Sequence, residues 1–210
     1  MKEFWESVWK GQDLDRFESY INLEKKYIYI DFFKKYNINK VCDVGCGFGK
    51  YSIISGFNGF EIWGCDLANK AIEITKHTLD RIGLRHKEYK QSNILDIEFN
   101  KDEFDGSIAH SVIEYVKYKE AEKAIEELSR ITKKDGLIYV AFGGLEQGDI
   151  NMKHIKLDDG TFIYKEGKRK GMQFRFYNNE EIRELLSNHK IIYFDINAKK
   201  GRDVIFINQK

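Results

Sequence analysis

Apolar residues along this chain recur with two periods in alternation: short unbroken runs that suit strands buried on both faces, and longer stretches in which they return every third or fourth position. Residues 13–36 are aromatic and charged with helical spacing and predict one or two helices. A strand is expected at Lys40–Val44, a short helix near residues 51–57, and a strand at residues 60–65. A helix follows over residues 70–82, where Ala71, Thr75, Leu79 and Ile82 share one face. Residues 92–104 read as a loop and 106–110 as a strand. The helix expected over 120–132 has the clearest stripe, formed by Ala121, Ala124, Ile125, Leu128 and Ile131, and 136–142 is the next strand. Such alternation predicts an α/β architecture in three layers, a doubly wound, mostly parallel sheet that binds ligands beyond the carboxyl ends of its strands.

The C-terminal third differs in pattern. Residues 143–171 are polar and glycine-rich, with a hairpin signal in which residues 162–164 and 172–174 flank the basic run 165–170. Asn178 reads as an N-cap with Glu181 at the third helical position, opening a helix through Leu186. Two last strand signals, 191–196 and 204–207, are joined by residues 199–203. No repeat or linker divides the chain, so one domain is expected over residues 1–210, with an N-terminal helical region at 1–38 and a variable segment at 143–172.

Composition narrows the class. A chain of 210 residues that is 42% hydrophobic can bury a sizeable core, and its formal net charge of +1 points to neither a polyanion nor an acidic partner. No apolar run approaches the roughly 18 to 20 residues of a membrane span, and the first residues lack the apolar segment of a signal peptide, so a cytoplasmic location is expected. Cys42, Cys46 and Cys65 lie on or beside expected strands without C-x-x-C spacing, which favours reduced core residues over a metal site. Oligomeric state has no signature here.

The chemistry concentrates where the strand at 40–44 runs into Gly45, Gly47 and Gly49. Glycine lets a backbone turn sharply and lets a ligand touch its amides, and the following helix start offers unpaired N–H groups. A tight turn without a ligand is the alternative. Asp43 lies inside the otherwise apolar strand, where a charge requires a partner, and Asp66 ends the next strand at the place of a ribose-binding carboxylate. Lys50 stands where a dinucleotide-binding turn has its third glycine, which argues against a nicotinamide or flavin cofactor.

Together these residues carry a family resemblance. The run 43–49 resembles the glycine motif of the class I S-adenosylmethionine-dependent methyltransferases, and Asp66 is similar to that family's ribose-binding acid. Residues 92–99, followed by Glu103, Phe104 and Asp105, resemble its third-strand loop and fourth-strand opening, and 133–138 resembles the turn into its fifth strand. The likeness runs in register from about Lys40 to Phe142. It implies a seven-stranded Rossmann-like sheet closed by an antiparallel C-terminal hairpin, with S-adenosylmethionine as cofactor and S-adenosylhomocysteine as product.

The resemblance also assigns roles. Gly45, Cys46 and Gly47 would approach the methionine end of the cofactor while Asp43 orients its amine. Asp66 would accept both ribose hydroxyls, or else cap the helix beginning near Ala68. Asn93 would meet the adenine amino group in place of the aspartate many relatives carry, or else cap its own loop; the Ile94 amide would donate to the ring, and Leu67 would pack on the base. At His110, which ends the fourth strand, the backbone carbonyl would meet the methionine amine of the cofactor, while its side chain is either a base toward the methyl acceptor or a hydrogen-bonded structural residue, with Glu114 and Tyr115 as secondary acceptor-pocket candidates. Trp5, Trp9, Phe17 and Tyr20 form either a lid or a plain packed helix, and Arg16 could reach the cofactor carboxylate from such a lid.

The end of the fourth strand, Ala109 to Val112, lacks the Asn/Asp-Pro-Pro-aromatic grip of base-amino methyltransferases, and the chain contains no proline. A small-molecule acceptor, taken by in-line displacement, is therefore the leading expectation. The competing classes are a noncatalytic S-adenosylmethionine-binding module, an RNA methyltransferase using the basic run 165–170, and a dinucleotide-dependent oxidoreductase.

Overall fold

A computed structural model describes residues 1–13, 27–197 and 200–210. Seven strands form one sheet in the order β3-β2-β1-β4-β5-β10-β9: β1 Lys40–Val44, β2 Glu61–Asp66, β3 Tyr89–Gln91, β4 Phe104–His110, β5 Thr132–Phe142, β9 Lys190–Ile196 and β10 Arg202–Ile207. The first five pair in parallel, and β10 runs antiparallel to both β5 and β9. The strand order reverses between β1 and β4, so the open crevice of the doubly wound sheet lies at their carboxyl ends.

Side chains alternate between two cores. Cys42, Val44, Ile138, Val140 and Phe206 face the layer holding α5 (Tyr118–Ile131) and α7 (Asn179–Leu185). Val41, Leu137, Tyr139 and Ile205 face α2 (Ile28–Lys35), α3 (Lys50–Phe57) and α4 (Asn69–Arg81). The α5 stripe read from the sequence is wholly buried. Ile125, Leu128 and Ile131 each contribute about 1.5–3 kcal/mol relative to exposure, and the two alanines less, which is why the stripe settles onto the sheet. Thr132 ends that helix, its hydroxyl donating to the Leu128 carbonyl at 2.7 Å. The Asn178 cap is formed as expected, accepting from the Glu180 and Glu181 N–H groups.

Three elements differ from the pattern reading. Strand β3 is a short edge piece whose Lys90 and Gln91 are half-buried, too polar and too brief to show periodicity. Strand β5 begins at Thr132 rather than Gly136; Lys133, Lys134 and Asp135 are exposed and lie in an irregularity between the Thr132–Phe104 and Leu137–Gly106 pairs, and Asp135 takes a left-handed φ of 63°. Within the expected variable segment and just past its end, α6 (Gln147–Asn151) precedes a second sheet of β6 His154–Lys156, β7 Phe162–Tyr164 and β8 Gln173–Phe174. The foreseen hairpin is its β7–β8 pair, with Phe162 opposite Phe174. Near the N-terminus, α1 (Lys2–Lys10) packs against α4 and buries none of its own residues. Among the described residues, no helix is long and apolar enough to cross a membrane.

Candidate active site

The turn after β1 is built on left-handed backbone: φ is 74° at Gly45, 57° at Gly47 and 88° at Gly49, the residue that opens α3. A side chain is excluded at Gly45 for a second reason, since a β-carbon there would stand 2.5 Å from Val112 Cγ2. The turn is fastened to β2, with Gly45 and Cys46 N–H both donating to the Cys65 carbonyl at 2.7 and 3.0 Å. Thr75 of α4 secures the other side, its hydroxyl donating to the Gly47 carbonyl at 2.9 Å.

Asp66 closes the arrangement. One carboxylate oxygen accepts the Gly47 N–H at 2.9 Å and the other accepts the Ala68 N–H at 2.8 Å, so the residue braces the glycine turn and the entry to α4 together. A carboxylate offers about four lone-pair sites, so acceptor capacity is left over. Burial raises the Asp66 pKa, opposed by those amide donors, and Glu6 raises it further.

Asp43, only 3% exposed, points behind the turn. Its Oδ2 accepts both the N–H and the hydroxyl of Ser52 at 2.9 and 2.7 Å, and Tyr89 in turn donates to the Ser52 hydroxyl. The first turn of α3 has unpaired N–H groups, and this is the partner that admits a charge into the strand. Burial nevertheless pushes its pKa up to about 7.

In front of the turn lies a cavity of about 420 Å³. Gly45, Gly47 and Asp66 form its floor, and Leu67, Asn93 and Ile94 one side. Asn93 makes a local turn, its Oδ1 accepting the Leu95 N–H at 3.0 Å. Ser111, Val112 and Tyr115 form the facing wall, with Gln173 of β8 beyond them. Trp5 and Trp9 of α1 cover the space; Trp5 meets Tyr115 edge-on at 4.9 Å, and Trp9 lies over Gly47. Glu6 holds this helix down, with Oε1 accepting from the Asn69 N–H and the Gln91 side chain, each at 3.0 Å.

Six of the nine residues expected to bind the cofactor therefore share one cavity, Gly45, Gly47, Asp66, Leu67, Asn93 and Ile94, and of the two acceptor-pocket candidates Tyr115 lines it and Glu114 does not. Asp43, Cys46 and His110 do not line it. Cys46 packs into the core on the α3 side, and His110 stacks on Tyr51 at 4.4 Å with Tyr139 nearby. Of the expected lid residues, Trp5 and Trp9 are in place, whereas Arg16, Phe17 and Tyr20 lie outside the described residues. Glu6, Val112 and Gln173 escaped the sequence reading. Glu6 acts across 63 residues of chain on Asn69, and no local pattern marks such a contact.

Residues 42–140 match a family model described as a methyltransferase domain. Protein RP028 of Rickettsia prowazekii (strain Madrid E) is 26% identical over 108 residues, covering 50% of this chain and 43% of that protein. The chain spans about half the length of the curated relatives it matches. A SAM-dependent methyltransferase from Methanosarcina mazei superposes with a TM-score of 0.70 at 20% identity, covering 87% of this chain and 98% of that one. Magnesium protoporphyrin IX methyltransferase from Synechocystis PCC 6803, solved with bound SAH, superposes at 0.68 and 14% identity over 99% and 100% of the two chains. At such identities the likeness is one of fold.

Proposed function

We propose that this chain is a class I S-adenosylmethionine-dependent methyltransferase that transfers a methyl group from S-adenosylmethionine to a small-molecule acceptor, a reading supported by the match of residues 42–140 to a methyltransferase-domain model. One observation carries the reading: the glycine turn, Asp66 and the Asn93–Ile94 loop gather around a single cavity roofed by Trp5 and Trp9. A volume of about 420 Å³ lies within the range of roughly 300–1,000 Å³ common for small-ligand sites.

The residues present suit this cofactor. Asp66 has acceptor sites left for a pair of hydroxyls, the turn brings bare backbone to the cavity floor, and Leu67 and Ile94 offer apolar surface to a flat base. When bound, the cofactor supplies a methyl group already activated by its sulfonium. What falls to this chain is alignment and the exclusion of water. Val112 and Tyr115 set the wall from which an acceptor would approach, and Trp5 closes over Tyr115. The segment 143–172 shapes the acceptor side indirectly in this reading, by setting the position of β8, which follows it and brings Gln173 to the cavity.

Calorimetric titration with S-adenosylhomocysteine and with NADH tests the cofactor. Binding of the first and not the second is expected; the reverse would reject the proposal. Transfer of a labelled methyl group across a panel of small acceptors then tests turnover.

A further inference from the structure

Glu114 is a buried carboxylate for which the transfer described above has no use. It lies in the 3-10 turn Ile113–Tyr115 and is 1% exposed. Its Oε1 accepts the Gly143 N–H at 2.9 Å, and its main-chain carbonyl accepts the Arg175 N–H at 2.7 Å. Gly143 directly follows β5 and Arg175 directly follows β8, so this one residue grips both roots of the segment between them. The approach is close: a β-carbon on Gly143 would stand 3.0 Å from Oε1. The second oxygen, Oε2, is buried with no hydrogen bond of ordinary geometry among the described residues, although the Ser111 hydroxyl acts on this carboxyl group and lowers its pKa against the burial that raises it.

A carboxylate in such surroundings is costly, and an apolar side chain would fill the space at less expense. Its sequence neighbours indicate what it achieves. Val112 packs on the Gly45 turn, and Tyr115 lines the cavity and receives the edge of Trp5. Ser111, at the start of this wall, takes a left-handed φ of 56°, a conformation that something outside the local backbone must hold.

We propose that Glu114 is a positioning residue: its bond to Gly143 sets the wall Ser111–Val112–Tyr115 against the cofactor, and so couples the seating of segment 143–172 to the shape of the cavity. The idea rests on the cofactor reading above, because cofactor affinity is its main readout. The segment can then influence the wall without touching the cofactor.

The test compares Glu114→Gln, Glu114→Ala and Glu114→Asp in the full chain, with S-adenosylhomocysteine as probe and amide exchange followed at residues 111–116. Glutamine keeps an acceptor for the Gly143 N–H and should stay within about threefold of the original affinity, restoring what alanine loses. Alanine should weaken binding by roughly tenfold or more, the scale of one charge-assisted hydrogen bond, and speed exchange at 111–116 while leaving that of β1 and β2 unchanged. Should the alanine protein not fold, aspartate, which retains the charge but falls one methylene short of Gly143, should show the same two changes. Original affinity and exchange in the alanine protein, or in the aspartate protein if alanine does not fold, would overturn the proposal. If the unaltered chain fails to bind the probe, the cofactor reading falls, and exchange at 111–116 still decides whether Glu114 holds the wall.

Discussion

The Asp66 carboxylate accepts the Gly47 amide at 2.9 Å across 19 residues of chain, joining the end of β2 to the turn after β1. Strand order places these two carboxyl ends side by side, and this bond makes them one rigid floor.

Removing that carboxylate should therefore act twice. Asp66→Ala is expected to weaken S-adenosylhomocysteine binding by about 1.5–3 kcal/mol. It also strands the Gly47 and Ala68 N–H groups, so a further loss of about 1–3 kcal/mol in folding stability is expected. Asp66→Asn should share the stability loss, because its amide can offer oxygen to only one of the two donors. Calorimetry and urea unfolding separate the effects, and unchanged affinity in a folded Asp66→Ala protein would remove the residue from the site.

Gly45→Ala combines two penalties. The left-handed φ of 74° costs a residue with a β-carbon about 1–2 kcal/mol, and that carbon would also meet Val112 Cγ2 at 2.5 Å. Pairing it with Val112→Ala relieves the contact alone. Urea unfolding should show the double variant recovering part, but not all, of the stability lost; full recovery would mean that the backbone angle carries no cost.

Much of this was legible in the sequence because burial and periodicity coincide. The α5 stripe, the Asn178 cap and the strands flanking the glycines follow from residues that interact with near neighbours in the chain. Strand β3 was not legible, since an edge piece of three residues needs only β2 beside it and imposes no pattern. The site divides the same way. Asp66 and the glycines are marked by their place at strand ends, whereas Asp43 shows only as a misplaced charge, and its Ser52 partner becomes known once α3 is folded back on β1. Glu6 and Val112 meet the site through contacts that exist only in three dimensions.

The hold of Glu6 on α1 gives a third prediction. This helix buries no residue of its own, and Glu6 supplies acceptors to the α4 entry and to Gln91. Glu6→Ala should cost about 0.5–2 kcal/mol, the value of a lost helix cap, and loosen the roof. Two of the three tryptophans, Trp5 and Trp9, lie on that roof, so a red-shifted emission and faster tryptic cleavage after Lys10 are expected. If neither changes, α1 is held by something other than Glu6.

Asp43 gives a prediction whose sign is set by burial. Its folded pKa, about 7, lies above the ordinary value of 3.8, so between those limits the folded chain holds a proton that the unfolded chain has released. Unfolding stability must then fall with rising pH over that window, the difference in bound protons being negative. The contribution is fully present below pH 3.8 and lost by about pH 7. Glu114, also pushed to about 7 by burial, adds a slope of the same sign, while His189, whose pKa burial lowers below 6.5, adds one of opposite sign as pH rises toward that value. The total slope of the unaltered chain thus does not isolate Asp43, but its difference from Asp43→Asn does. Asparagine keeps an oxygen for the Ser52 donors and has no charge to bury. Urea unfolding from pH 4 to 8 should show Asp43→Asn gaining on the unaltered chain as pH rises and levelling off above about 7. A constant difference across that range would mean that Asp43 ionises in the folded protein as it does in the unfolded chain, with the Ser52 bonds fully offsetting its burial.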